Sequence, residues 1–218
     1  MRFPYFWAAV VATLAMQPTC SPAASPPPAA TESANNAFLA LPQLATPDTY
    51  KGLGFESLDE VKVATLGVPF QVFMVRLDAL KRYEAGTDPK SLLVNAHELL
   101  YPIAVAGQER LSMTMREIDG KWEVAGFGKA QLAKALVRTR ARHTEGLKTP
   151  IESVFAVNVP ALNLHFIAHE IGDELMLVPL ASDASLNLEE GRAMAAQTLF
   201  MALAPRARSL KTGPYIAD

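Results

Sequence analysis

Residues 101–128 read YPIAVAGQERLSMTMREIDGKWEVAGFG, and their pattern decides the fold. Leu111, Met113 and Met115 alternate with Ser112, Thr114 and Arg116. A period of two puts the first set on one face of a strand and the second on the other. Tyr101, Ile103 and Val105 repeat the period before this segment, and Trp122 and Val124 after it. Asp119-Gly120 is a two-residue hairpin turn of type I′. The stretch therefore predicts a three-stranded antiparallel meander with one polar face, closed by Gly128. A helix over about 130–140 follows, with Leu132, Ala133, Leu136 and Val137 on its apolar side.

Downstream the plan returns. Leu162, Leu164 and Phe166 alternate with Asn163, His165 and Ile167, and Gly172-Asp173 makes the turn into Leu175, Leu177 and Leu180. Asn187 and Glu190 have capping-box spacing, which starts a helix that runs to about Ala204, before Pro205. Arg116–Gly120 falls opposite His169–Asp173 in this weak repeat.

Upstream, Val61 and Val63 read as a strand. Gly67-Val68-Pro69 breaks it, and Phe70, Val72 and Met74 form the next. Asp88-Pro89 starts a short helix that turns Leu92, Leu93 and Ala96 inward. Phe38, Leu41 and Leu44 make one docking helical turn. The expected class is α+β: antiparallel β-meanders covered by helices on one side, with a possible internal duplication in the order sheet, helix, sheet, helix.

The first twenty residues are of another kind. Arg2 is the only charge before Glu32, and an apolar run extends to Met16. A basic start and a short apolar run describe a secretory signal peptide, whereas a membrane span needs about 20 apolar residues. Cys20 stands where the run ends and resembles the lipidated cysteine of bacterial lipoproteins. Gln17, Pro18 and Thr19 depart from the usual Leu, small, Gly/Ala approach to it. A competing cut after Ala23 would discard the cysteine. Residues 21–37, SPAASPPPAATESANNA, read as a flexible Pro/Ala linker. The organisation is then a signal peptide over 1–20, a linker over 21–37 and a single α+β domain over 38–218.

Composition narrows the class further. Half of the 218 residues are hydrophobic and 19% are charged, which suits a folded core. The net charge of −2 gives no overall pull toward nucleic acid. One cysteine excludes an intramolecular disulfide.

Candidate chemistry is sparse. His165, His169 and Glu170 lie on a strand by their flanking alternation. Histidines four apart there are about 13 Å apart, too far to share a metal. Both read as solvent-facing, and His97-Glu98 and His143 are dispersed. Gly126-Phe127-Gly128-Lys129 lacks the earlier glycine and the Ser/Thr of a phosphate loop, so it reads as a strand-to-helix turn. No Gly-x-Ser-x-Gly elbow occurs. Arg138, Arg140 and Arg142, with Lys129, Lys134 and Lys148, crowd one helix; Arg206, Arg208 and Lys211 crowd the end of the other. Cations at helix C-termini suit the dipole without any ligand. If the helices lay side by side, the two groups would meet as a patch for an anionic partner.

These features suggest a non-enzymatic accessory or binding module of the cell envelope, periplasmic or lipid-anchored, that binds an envelope protein or an anionic surface and carries no cofactor. A periplasmic hydrolase without a recognisable motif and a small-ligand carrier are the alternatives.

Overall fold

A computed structural model describes residues 25–147 and 150–210. The first third holds the helices α1 (Pro28–Leu39), α2 (Leu41–Leu44) and α3 (Leu58–Lys62), the strands β1 (Thr65–Leu66) and β2 (Phe70–Val75), and the helix α4 (Leu77–Lys81). The central part is β3 (Leu93–Val105), β4 (Gln108–Ile118), β5 (Lys121–Gly128) and the long helix α5 (Ala130–Leu147). The last part is β6 (Phe155–Val159), β7 (Leu164–Ile171), β8 (Glu174–Pro179), β9 (Met194–Ala195) and α6 (Ala196–Ser209).

The two meanders form as the alternation requires. Tyr101 pairs with Met113 and Ile103 with Leu111 across β3–β4, and β5 continues antiparallel on β4. Asp119 (φ 51°) and Gly120 (φ 76°) both have the left-handed backbone that a type I′ turn needs. The β3–β4 turn uses the same geometry at Ala106 (φ 50°) and Gly107 (φ 76°). The meanders share one nine-stranded sheet of order β5-β4-β3-β2-β6-β7-β8-β9, with β1 added on β3. Its only parallel pairing among these strands is β2 with β6.

That pairing decides where the helices go. The chain leaves β5 at one sheet edge and must cross β4, β3 and β2 to reach the free side of β2. The crossing element is α5. Ala156 and Val157 are neighbours on β6 and so face opposite ways. Ala156 packs in one cluster with Leu136 of α5, and Val157 in another with Leu199 and Phe200 of α6. The α+β class and the meanders are therefore as expected, but the helices divide between the two faces instead of sharing one. A two-fold rotation that carried one meander onto the other would keep each face in place and lay both helices on one side. A duplication extends to the meanders at most.

The helix contacts both β4 and β7, which have three strands between them, as an 18-residue helix that crosses the sheet can. Register shifts at Val72/Phe73, Ile103/Ala104 and Thr114/Met115 interrupt the β2–β3, β3–β4 and β4–β5 ladders. On the outer face, Leu99, Tyr101, Leu111 and Met113 pack beneath Ala30 and Ala34 of α1, and Phe73, Phe155 and Phe166 pack beneath α6.

Several local expectations change. Within the flexible linker expected over 21–37, residues 28–37 belong to α1, so folded structure begins before Phe38. Pro28 sits at the first helical position, where its missing N–H costs nothing, and Ala30 and Ala34 are fully buried. Small side chains let this helix lie close to the sheet, so low hydrophobic bulk did not prevent docking. The strand expected at Val61–Val63 is α3, capped by Ser57, whose hydroxyl accepts from Glu60 N–H. Asp88 does cap Lys90, but the turn is a single 3₁₀ turn, Pro89–Leu92, and Leu93 already opens β3. Asn187 is no helix cap. It has φ 53° and ends the short 3₁₀ turn Ala184–Leu186, and α6 begins at Ala196 and passes through Pro205. The helix expected over about 130–140 runs on to Leu147.

Candidate functional site

Every buried polar or charged residue among the described residues lies at one interface. Ser112 and Thr114 come from β4, Thr139 and Arg140 from α5, and His169 from β7. The two cores on the outer face are apolar by comparison. The polar face of the central meander is thus covered by α5 at Ser112 and Thr114, while Arg116 on the same face stays exposed. Ser112 Oγ donates to the Gly128 carbonyl at 2.7 Å there.

Arg140 is 4% exposed and stacks on the Phe70 ring at 3.8 Å from its centroid. It donates to the carbonyls of Val68 (3.1 Å) and Pro69 (3.4 Å), at the start of β2. Burial pushes its pKa down to about 10. Its job is to tie α5 to the sheet. Arg138 instead stands at the surface, 2.5 Å from the Glu190 carboxylate, and Arg142 is exposed. Arg206 is exposed on α6, and Arg208 donates to the carbonyls of Lys81 and Tyr83. Those carbonyls follow the far end of β2, whereas Val68 and Pro69 precede its start. The two arginine groups therefore sit on opposite faces and at opposite ends of the sheet, and the fold does not bring them together. Lys148 and Lys211 lie outside the described residues, as do the signal peptide and Cys20.

Three of the four histidines line the α5 interface. His169 is fully buried, because α5 covers its face of β7, so the solvent-facing reading is overturned. It meets the half-buried His143 of α5 edge to face, with ring centroids 4.5 Å apart. Both ring nitrogens of His169 and Nε2 of His143 have no hydrogen-bond partner among the described residues. Burial, and then the neighbouring His143, push the His169 pKa down to about 4. Sequence reasoning missed this meeting because it stopped the helix near Arg140. Extended by a turn, the helix places His143 seven residues after Leu136, on the same inner face.

His165 sits two rows along β7 from His169, facing the same way. Its Nδ1 lies 2.8 Å from Asn158 Oδ1. The amide oxygen can only accept, so Nδ1 carries the hydrogen and Nε2 keeps the ring's lone pair. Burial, then the Lys129 charge, lower its pKa. The ring opens onto a cleft of about 250 Å³ bounded by Leu132, Ala135, Leu164, Pro179 and Leu180. Beside Asn158, the same row of the sheet continues into Met74 and Val94, which pair across β2–β3 and are 36% and 41% exposed. This end of the face carries an apolar strip with one oriented hydrogen-bond acceptor at its centre. No Ser, Thr, Cys or carboxylate lines the cleft.

The fourth histidine, His97, has Nδ1 3.0 Å from the Glu117 carboxylate, and Arg116 pairs with Glu98 beside it. Both are exposed cross-strand pairs of β3 and β4. Gly126, Phe127 and Gly128 are the last residues of β5, paired with Thr114, Met113 and Ser112, and Lys129 at φ 53° makes the turn into α5. Among the described residues no three of His, Cys, Asp or Glu converge, and no helix is long and apolar enough to cross a membrane. No family model, curated protein or solved structure matches the chain.

Proposed function

We propose that the protein is a non-enzymatic binding module of the cell envelope, carried there by its N-terminal segment, and that its partner is another protein. The observation that carries this reading is the strip of Met74, Val94, Asn158 and His165 beside the 250 Å³ cleft. Small-molecule sites generally occupy about 300–1,000 Å³. A smaller recess on an apolar surface suits one inserted side chain, which favours a protein partner over a carried ligand. The cleft offers no Ser, Thr or Cys side chain for a covalent intermediate, which supports binding over that route of hydrolysis.

The test is site-specific photo-crosslinking of the full chain in its source cells. A photoreactive residue at Met74 is expected to give one discrete adduct that Val94→Asp abolishes. The same residue at Ile171, exposed at the opposite end of β7 about 20 Å along the strand from His165, should give none. Equal labelling from both positions overturns the reading. The intact mass of the same material tests the anchor: an acylated chain that begins at Cys20 supports tethering, and an unmodified chain cut after Ala23 supports a free periplasmic protein.

A further inference from the structure

We propose that His143, His169 and Met176 form a site for a soft monovalent cation of the Cu(I) type. The first ground is the pair of imidazoles. They come from different elements, α5 and β7, and touch at 4.5 Å between ring centroids. Two nitrogens that bind one ion at about 2.0 Å each lie no more than about 4 Å apart. Rings this close reach that geometry without backbone movement.

The second ground is their missing partners. Three ring nitrogens at this contact are buried with no hydrogen bond among the described residues, and His169 is fully buried. A buried polar group with no partner is destabilising, so the arrangement calls for a ligand that supplies what the protein does not. A cation satisfies the lone pairs of both rings at once.

The third ground is the register. Met176 stands directly opposite His169 across β7–β8 and so projects from the same face. Directly opposed residues have Cβ atoms about 4.5–5.5 Å apart, within reach of a thioether. Two imidazoles and a thioether, without thiolate or carboxylate, are a donor set for copper in its reduced state and a poor one for magnesium or calcium. The inference is independent of the crosslinking strip, which lies at the other end of α5.

The probe is Cu(I) itself, delivered under ascorbate to the full chain with Cys20→Ser, so that the thiol does not compete. Native mass spectrometry is expected to show one bound copper, and a colorimetric Cu(I) chelator to give an affinity. Met176→Leu should weaken that affinity about tenfold or more, and His169→Phe should abolish the adduct. His143→Gln gives a second check should His169→Phe not fold. No copper adduct on the folded protein, or an adduct unchanged in the folded variants, overturns the proposal. Zn(II) binding that needs both histidines and ignores Met176→Leu overturns the Cu(I) assignment.

Discussion

Arg140 is the sharpest point at which sequence and structure give different expectations, and its substitution tests the fold directly. A surface cation on a basic helix should be dispensable. The structure instead stacks Arg140 on Phe70 and spends two of its N–H groups on Val68 and Pro69. Truncation to alanine loses a buried cation–π contact worth about 2 kcal/mol. It also strands the Val68 carbonyl at about 1–3 kcal/mol and empties the space of the stem. Against this, the charge is itself buried. The fall of its pKa to about 10, well below the ordinary guanidinium value, corresponds to about 3 kcal/mol of lost preference for the charged form. The balance for Arg140→Ala is a loss of about 3 kcal/mol. Arg140→Met keeps the stem and removes the charge, so it should lose only about 1 kcal/mol. Arg138→Ala breaks a half-exposed pair with Glu190 and should stay within about 1 kcal/mol. Urea unfolding followed by circular dichroism measures all three, and the alanine variant should melt about 6–12 °C lower. A loss under about 1 kcal/mol for Arg140→Ala, equal to that of Arg138→Ala, would refute the tie. Retention of Arg140→Met on anionic vesicles should equal that of wild type, since the charge is not presented to them.

Two further outcomes follow from local geometry. Ala106 holds φ 50° at an exposed turn position that favours asparagine, so Ala106→Asn should raise stability by about 0.5–1 kcal/mol in the same assay; no gain would mean the turn relaxes without strain. The folded pKa of His165 is lowered by burial and then by Lys129, so the unfolded chain takes up that proton first as pH falls. Its contribution is fully present above about pH 6.5 and is lost below that as the pH approaches the lowered folded value. The difference between wild type and His165→Gln should therefore shrink from pH 7.5 to pH 5, and a constant difference would show that His165 does not titrate with folding.

The sequence alone was sufficient wherever one short segment carried both the pattern and its reason. Period-two alternation and Asp119-Gly120 determined the central meander and its turn, because side-chain direction in a strand is local. The inner face of α5 was legible from Leu132, Ala133 and Leu136 for the same reason. The candidate site was not legible. His143 and His169 meet, and Arg140 is buried, only because β6 joins β2 in parallel and sends α5 across the face of the sheet. The same crossing placed α5 and α6 on opposite faces and kept the arginines of the two helices apart. Strand order and layer assignment depend on which distant edges pair, and neither composition nor periodicity encodes that choice. Tertiary packing alone decided it, by burying the two apolar faces of the sheet beneath different helices.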